Sequence, residues 1–534
     1  MPLPPTAALA AALLATASPP QSTPFVDVTE DAGISFQQRR ATRDCQLYFG
    51  AACEMEFMSG GIAVGDVNGD GWPDLYLTSI DGPDRLYENR RDGTFVDTTL
   101  ARGLLRTEPT NAAQFVDVDQ DGDQDLVVTV FAPSSATTAR HHQLWIQGDD
   151  GTFDEQALAR GFVPPGIEGM NGWGIAAGDI DRDGWPDLVL TQWLEDAPDA
   201  SRVLMNRGAI APGHFLHSGH AWEVDLEDVW GFAATLVDLD HDGWQDLAVA
   251  GDFGTSRLYW NEGPAGFVEG TAAAGVGTDE NGMGSAFGDV DGDGDLDWFV
   301  TSIWDPADTC GTGTCNWGIT GNRLYVNEGG RGFRDGTDAF GVRDGAWGWG
   351  AAFLDFDNDA RLDLVMTNGV QFPTPFAAPF FADRNRFWVQ GGAGPMHEAA
   401  ERAGLGDTGS GKGLVTLDYD RDGDLDVLVT NNSGTPTLFR NDRAPDHAWL
   451  QVDVRGTISN CDALGATVEV VAGGRTQRAE VGVGAHFLGN PEHVLHFGLG
   501  ASASADRVTV RFPASGIEHV RTDVAGRRRI VVVE

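Results

Sequence analysis

An acidic nine-residue pattern recurs seven times along the chain, and it limits the possible folds more than any other feature. The pattern is Asp-x-Asp/Asn-x-Asp-Gly-x-x-Asp, and the first residues of successive copies lie 51 to 66 positions apart. Repeats with a period of about 60 residues indicate one supersecondary unit per copy. We therefore interpret most of the chain as an array of seven similar units.

Each copy places oxygen-bearing side chains at positions one, three, five and nine, and we expect the carbonyl of position seven to face the same centre. Neighbouring carboxylates repel by roughly 4 kcal/mol at about 4 Å and an effective dielectric of 20, so four converging carboxylates need a cation. Hard oxygen ligands select Ca²⁺, which accepts about six to eight of them. We expect up to seven Ca²⁺ ions, one per loop. The predicted ligands are Asp66, Asn68, Asp70, Trp72, Asp74, Asp117, Asp119, Asp121, Asp123, Asp125, Asp179, Asp181, Asp183, Trp185, Asp187, Asp238, Asp240, Asp242, Trp244, Asp246, Asp289, Asp291, Asp293, Asp295, Asp297, Asp355, Asp357, Asp359, Arg361, Asp363, Asp418, Asp420, Asp422, Asp424 and Asp426.

Two other interpretations fit these loops less well. An EF-hand needs Glu at position twelve, whereas the seven copies carry Leu, Val or Met there, as at Leu77 and Met366. An Asp-Gly hairpin turn without metal would explain one copy but not seven. Position six is Gly, which permits a sharp turn, in every copy except the sixth, where Ala360 stands. We expect the sixth site to be strained or the weakest.

Each loop lies between two apolar strands, and two further short strands follow, as at residues 61–65, 75–78, 85–89 and 95–99. Four strands per repeat, seven repeats and no helical periodicity predict an all-β fold with a seven-bladed β-propeller. The seventh copy lacks a fourth strand, while residues 25–29 supply one ahead of the first loop. The N-terminal strand should complete the last blade and close the ring, which removes exposed sheet edges.

The remaining segment, residues 447–534, alternates in strand fashion between Gly, Pro and polar turns. It predicts a small antiparallel β-sandwich domain after a propeller at residues 25–441. This domain contains Arg527, Arg528 and Arg529, and the propeller is acidic. Docking of the domain by charge is one interpretation of the arginine run, and a solvated run is the other.

Small residues stand five positions before each loop, as seven strands converging on one channel require. The ring one position earlier should line the channel mouth opposite the Ca²⁺ loops, on the face that also carries the long insertions. Trp side chains there could stack on sugars or anchor a protein partner, and the alternative is simple packing of the channel. The ligand-face candidates are Asn111, Trp173, Trp230, Phe232, Met283, Trp347, Trp349 and Lys412.

The charge balance excludes one class of partner. The chain has 35 Lys and Arg against 80 Asp and Glu, a formal net charge of -45. A nucleic-acid binder needs a basic face, so we expect no nucleic-acid partner. No stretch of about 20 apolar residues follows the N-terminus, so we expect no membrane span.

The N-terminus and the cysteines indicate export. Residues 1–17 contain a short apolar run that ends in Ala15-Thr16-Ala17, which predicts a signal peptide; a disordered Ala/Pro tail is the alternative. Cys45 and Cys53, and Cys310 and Cys315, form near pairs in loop sequence. In an exported protein such pairs predict local disulfides, with a Cys-based zinc site as the alternative. Cys461 is left over as a predicted buried thiol.

Two stretches resemble known families. Residues 287–297 resemble the FG-GAP/VCBS repeats of integrin-α-like propellers. The tail resembles an ASPIC/UnbV domain at residues 449–452, 459–466, 496–500 and 512–516, although Cys461 stands where Arg is usual and Phe512 where Trp is usual. Together they resemble the cartilage acidic protein family, including its bacterial members. The resemblance implies a secreted Ca²⁺-binding propeller.

Three hypotheses of function follow from the sequence. The first is a non-enzymatic binding, adhesion or scaffold protein, secreted, periplasmic or on the cell surface, in which Ca²⁺ stabilises the blades. Its partner would be an extracellular protein or glycan bound on the opposite face. The second is an extracellular enzyme acting on polysaccharide or lipid with the propeller as platform. The third is an assembly role in which residues 447–534 mediate self-association.

Overall fold

The computed structural model describes residues 23–38, 55–130, 141–163, 172–193, 201–217, 222, 224–226, 228–306, 318–372, 377–392, 394–443 and 447–534. The predicted signal peptide and both predicted disulfide pairs lie outside these residues. Cys461 lies within them as a free, half-buried thiol.

Residues 25–441 form seven sheets of β-propeller type, and strand β1 (Phe25–Asp27) precedes the first. Blades 1 to 3 are β2 (Ile62–Gly65), β3 (Asp74–Leu77), β4 (Arg85–Asn89), β5 (Phe95–Asp97); β6 (Thr110–Val116), β7 (Asp125–Val130), β8 (Gln143–Gln147), β9 (Phe153–Glu155); and β10 (Gly172–Gly178), β11 (Asp187–Gln192), β12 (Arg202–Asn206), β13 (Phe215–His217). Blades 4 and 5 are β14 (Gly231–Val237), β15 (Asp246–Gly251), β16 (Arg257–Asn261), β17 (Phe267–Glu269); and β18 (Ser285–Gly288), β19 (Asp297–Val300), β20 (Arg323–Asn327), β21 (Phe333–Asp335). Blades 6 and 7 are β22 (Gly348–Leu354), β23 (Asp363–Asn368), β24 (Arg386–Val389), β25 (His397–Glu398); and β26 (Gly411–Leu417), β27 (Asp426–Asn431), β28 (Thr437–Asn441).

Helices are confined to single turns among the described residues. They are α1 (Thr271–Ala274), α2 (Thr337–Phe340), α3 (Ala400–Ala403) and the 3₁₀ turns Met55–Phe57, Gly208–Ile210, Gly263–Ala265 and Ala378–Phe380. The first two strands of most blades are buried along their whole length, because both of their faces pack against neighbouring blades.

The predicted closure of the ring is confirmed. Strand β1 pairs antiparallel with β28, with Phe25 opposite Asn441 and Asp27 opposite Phe439, and so supplies the fourth strand of blade 7. The innermost strands approach closely around the channel. A Cβ atom on Gly61 would lie 1.9 Å from the carbonyl oxygen of Asn111, which explains the absence of a side chain there.

The C-terminal domain, residues 447–534, has two sheets. One is β29 (Ala448–Arg455), β34 (Leu495–Gly500) and β37 (Arg528–Val533), and the other is β30 (Thr467–Ala472), β31 (Arg475–Glu480), β35 (Ser504–Arg511) and β36 (Glu518–Ala525). Every pair is antiparallel except β29 and β37, which run parallel, so the expectation of a purely antiparallel sandwich needs this one correction. Leu450, Val468, Val510 and Phe512 lie in its core.

One segment of the C-terminal domain enters the propeller. Strand β32 (Ala485–His486) pairs with β18 of blade 5, and β33 (Gly489–Asn490) pairs parallel with β2 of blade 1. Between them, Phe487 and Leu488 are buried in the largest apolar cluster of the propeller. The channel is therefore filled by the chain itself.

A repeated set of hydrogen bonds holds each acidic loop to its own blade and joins that blade to the preceding one. The ninth residue of every acidic loop is a buried Asp whose two oxygens accept the backbone N–H of position two and that of the residue ending the third strand, at 2.7–3.3 Å. The residue at this end of the third strand is always Asn or Gln, although in blade 6 Gln390 lies one position after the strand. Its side-chain amide donates to the position-two carbonyl of the preceding loop. These seven donors are Asn89, Gln147, Asn206, Asn261, Asn327, Gln390 and Asn441.

We predict that Asn327→Ala lowers the free energy of unfolding by about 3 kcal/mol, because about 1 kcal/mol is lost with each of three hydrogen bonds. Asn327 donates to the carbonyls of Leu239 and Leu296 and accepts from the backbone of Gly329. Urea unfolding at constant Ca²⁺ measures the change, with the exposed Arg402→Ala as control. Equal midpoints for the two variants would contradict the proposed blade linkage.

Candidate metal centre in the seven loops

Two left-handed residues shape every acidic loop. Position six has φ between +67° and +99° and position four has φ between +56° and +80° in all seven copies. These turns direct the backbone N–H of position six onto the carboxylate of position one, at 2.7–3.2 Å. Ala360 takes φ +67°, where the other six loops have Gly, so the expected strain at the sixth loop is present.

The first carboxylate of four loops has one oxygen without a partner. In Asp117, Asp179, Asp238 and Asp418, Oδ2 accepts the position-six N–H, while Oδ1 is buried and has no hydrogen-bond partner among the described residues. A buried anionic oxygen without a partner is costly, and a cation would remove that cost.

Oxygens of several positions come close together in these loops. In at least five loops three carboxylates each offer one oxygen, and the three oxygens lie within 4.8 Å of one another. These groups are Asp117, Asp119, Asp125; Asp179, Asp181, Asp187; Asp238, Asp240, Asp246; Asp289, Asp291, Asp297; and Asp355, Asp357, Asp359. Together with the unpartnered oxygens, this arrangement fits a divalent cation held by oxygen ligands.

The pKa values of these carboxyls reflect the same crowding. Burial, with repulsion from neighbouring carboxylates, raises the pKa of Asp117 and Asp179 to about 7. Burial likewise raises the pKa of Asp74 and Asp297 to about 8 and that of Asp125 to about 9. A bound cation favours the ionised form of each ligand and would offset these shifts.

Positions five and seven contact each other in the structure. The backbone N–H of Trp72, Trp185 and Trp244 donates to the position-five carboxylate at 2.8–3.0 Å, which closes the turn between them. In the sixth loop the Arg361 side chain instead pairs with Asp359. The inward direction of the position-seven carbonyls stays a prediction.

The C-terminal domain lies on the face of the propeller that carries the acidic loops. Asp462 accepts the backbone N–H of Asp117 at 2.7 Å, and Glu480 accepts that of Asp238 at 3.0 Å. Gln451 donates to Asp418 at 2.7 Å. The domain therefore covers several of the candidate sites from outside.

Two glycines of the loops allow this close approach. A Cβ atom on Gly423 would lie 1.8 Å from the ring of Trp449, and one on Gly184 would lie 2.5 Å from the carbonyl oxygen of Ile458. Charge contributes less to the docking of the C-terminal domain than the run of Arg527, Arg528 and Arg529 suggests. Arg529 donates to the carbonyl of Gly71 at 2.9 Å and pairs with Asp453 of its own domain, whereas Arg528 is exposed.

Most of the ligand-face candidates are buried, which corrects the prediction that they form an accessible surface. Seven of them have 0–4% of their surface exposed: Asn111, Trp173, Phe232, Met283, Trp347, Trp349 and Lys412. Trp230 alone is half-buried. The cause is the inserted segment, because the ring of Phe487 contacts those of Trp173, Phe232 and Trp349 at centroid distances of 6.1, 5.7 and 5.2 Å. Channel packing, the alternative interpretation, describes these residues.

Lys412, the one lysine of the chain, is part of this packing. Its Nζ donates to the carbonyls of Gly369 and Gly411 and to the hydroxyl of Ser410, and it lies 4.4 Å from the ring centroid of Trp349. Burial lowers its pKa well below the usual range.

Sequence reasoning missed the residues that connect neighbouring loops. The amides of Gln124 and Gln245, at position eight, accept the first N–H of the preceding loop at 2.9–3.0 Å. At position four, Asn358 donates to the position-six carbonyl of the next loop. A polar residue at these positions of the repeat was a signal, but only the folded ring shows its partner.

Comparison with protein families agrees with this architecture. The FG-GAP-like repeat family matches residues 66–128 and 238–300, and the ASPIC and UnbV family matches residues 456–534. The chain carries FG-GAP repeats and an ASPIC/UnbV domain. The C-terminal domain described above is the ASPIC/UnbV domain.

Curated relatives resemble most of the chain. Cartilage acidic protein 1 of Mus musculus is 25% identical over 495 residues, which cover 85% of this chain and 70% of that protein. The Homo sapiens protein of the same name is 27% identical over 490 residues, which cover 85% and 68%. The resemblance to the cartilage acidic protein family is thus confirmed at about 25% identity.

Solved structures give weaker likenesses. Rhamnogalacturonan lyase YesW is 15% identical with a TM-score of 0.36, and covers 72% of each chain. BBS1N in complex with ARL6DN is 10% identical with a TM-score of 0.43, and covers 79% of this chain and 98% of that one. At these scores neither likeness bears on function.

None of the helices in the described residues has the length and apolar character needed to cross a bilayer.

We predict that Ala360→Gly raises the free energy of unfolding by about 1 kcal/mol, because glycine adopts the left-handed conformation without steric cost. The matched control is Gly294→Ala, the same position of the fifth loop, where an added Cβ would meet nothing within 4 Å. That change should lower stability by about 1 kcal/mol through the backbone alone. Urea unfolding measures both, and a shift of both variants in the same direction would contradict the assignment of strain.

Proposed function

We propose that the protein is an exported, non-enzymatic binding or scaffold protein whose propeller is held rigid by Ca²⁺ in the acidic loops. The observation that carries the proposal is the buried Oδ1 atom without a partner in four first-position aspartates. Four separate loops repeat it, and oxygen ligands in a tight loop suit Ca²⁺ above other common cations. The family resemblance supports an extracellular binding role. A protein or glycan is the partner that we propose.

The face opposite the acidic loops has a smaller exposed aromatic surface than the sequence predicts. Phe253 is 58% exposed, and its ring meets the half-buried Trp230 edge-on at a centroid distance of 5.3 Å. Exposed aromatic side chains on a rigid scaffold are suited to contact a protein or a sugar. An opposite-face partner would therefore contact blade 4.

An extracellular enzyme remains the second candidate, with polysaccharide or lipid as substrate. It needs an acid, a base and a cation at the channel mouth, where Lys412 is bonded to two carbonyls and Phe487 fills the space between the rings. This packing favours the non-enzymatic proposal.

We predict that chelation with EDTA lowers the melting temperature sharply and that added Ca²⁺ restores it. Each filled site adds about 2.7 kcal/mol of stability when free Ca²⁺ is 100 times its Kd, because the folded loops bind the ion and the unfolded chain does not. Scanning calorimetry of the full chain checks the prediction. An unchanged melting temperature after thorough chelation would overturn the structural role of the ion.

A single-loop variant tests the assignment of the sites. Asp181→Asn keeps the acceptor for the backbone N–H of Asp183, at 3.2 Å, but removes one negative charge from the third loop. The number of bound Ca²⁺ ions, counted by atomic emission after gel filtration, should fall by one. The exposed Asp154→Asn, outside the loops, should leave the count unchanged. Equal counts for both variants would exclude the third loop as a site.

A further inference from the structure

The fifth acidic loop differs from the other six in its relation to the C-terminal domain. Hydrogen bonds, ion pairs or close packing join the domain to loops one to four, six and seven. Among the described residues, no hydrogen bond or ion pair joins it to loop five, whose first residue is Asp289. Asp291, the third residue of that loop, is exposed. Since no such contact covers it, a cation in this loop would face the space beneath the C-terminal domain.

Strand β31 contacts the two loops on either side of loop five. At one end, the Nη1 atom of Arg475 donates to the carbonyl of Ala360 in loop six at 3.2 Å. Towards the other end, the Nη2 atom of Arg478 lies 3.7 Å from the carboxylate of Asp238 in loop four. The strand thus rests on the two neighbouring loops and leaves space beneath it.

That space is a cleft of about 600 Å³ between the two domains. The volume lies within the range of roughly 300–1,000 Å³ that is usual for small-ligand sites, and such sites favour domain interfaces. Asp289, Asp291 and Asp293 of loop five line one side, and β31 lines the other. The half-buried Phe353 adds apolar surface to the cleft, and Phe287 and Phe497 line it with 7% and 2% of their surface exposed.

Several acidic groups of the cleft already have partners. Glu492 pairs with Arg421 at 3.0 Å, and Glu480 accepts the amide of Gln245 at 2.9 Å. Both oxygens of Asp289 accept N–H groups of its own loop. These three carboxylates are therefore engaged, whereas Oδ1 of Asp418, which also lines the cleft, has no hydrogen-bond partner among the described residues.

The two guanidinium groups are less well satisfied. Arg475 forms no ion pair among the described residues, and the buried Nε of Arg478 has no hydrogen-bond partner there. A guanidinium favours a carboxylate as its partner. Thr416, Thr476 and Gln477 also line the cleft and can exchange hydrogen bonds with hydroxyl groups.

We propose that this cleft binds a short uronic-acid oligosaccharide, whose successive carboxylates pair with Arg475, with Arg478 and with a cation in loop five. The inference rests on the proposed occupation of the loops by Ca²⁺. The sugar carboxylates would pair with the arginines and the cation, and the hydroxyls would form hydrogen bonds with the threonine and glutamine side chains. The apolar face of a sugar ring would pack on Phe353.

Titration calorimetry of the full chain with trigalacturonate in millimolar Ca²⁺ tests the proposal. We expect binding that EDTA abolishes and that weakens about tenfold or more in Arg475→Gln and in Arg478→Gln, because a charged hydrogen bond is lost. Arg511→Gln, an exposed arginine paired with Glu518 and two strands away from β31 in the same sheet, is the matched control and should bind as the unchanged protein does. Maltotriose, which lacks carboxylates, and citrate, which lacks sugar rings, should bind at least tenfold more weakly.

A pair of matched Asp→Asn variants adds a second criterion. Asp291→Asn in loop five should abolish trigalacturonate binding, whereas the exposed Asp154→Asn, outside the loops, should leave it unchanged. Failure of trigalacturonate to bind, equal binding of citrate or maltotriose, or full binding by the arginine variants would overturn the cleft proposal. The melting temperature in Ca²⁺ and EDTA, measured on the same samples, reports separately on the proposed function.

Discussion

The carboxylate at the ninth position of each acidic loop is the interaction on which the propeller depends. It holds the loop to the third strand of its own blade through two backbone hydrogen bonds, as Asp297 does with Val290 and Asn327. The Asn side chain at the same place reaches the preceding blade. Burial makes such polar contacts necessary, since an unpaired group there costs about 1–3 kcal/mol. A metal ion bound in the loops would thus act on residues that already connect the sheets.

The architecture of the propeller could be predicted from sequence because its signals are local and repeated. The spacing of the acidic loops, the strands between them and the missing fourth strand of blade 7 were sufficient to predict seven blades closed by residues 25–29, of which 25–27 form the strand. The ligand positions followed from the same periodicity. The role of the ninth Asp as a backbone acceptor did not follow, because a predicted metal ligand and a backbone acceptor need the same residue type.

The arrangement of the second domain could not be predicted in this way. Its contacts join residues far apart in the chain, such as Asp462 with Asp117, and no periodicity marks them. The aromatic residues at the channel illustrate the difficulty. Trp173 and Trp349 are of a residue type that is common at binding surfaces, but Phe487 from the C-terminal domain covers them. Whether an aromatic ring lies open or packed depends on which distant segment reaches it.

The path of the chain also has a consequence for synthesis on the ribosome. Strand β1 cannot pair until residues 437–441 have been synthesised. The centre of the ring is not filled until residues 485–490 have left the ribosome. The nascent polypeptide therefore carries unfinished sheet edges and uncovered tryptophans during most of its translation. Such surfaces are prone to aggregation, so chaperone protection should matter most for this protein before its last hundred or so residues have been made.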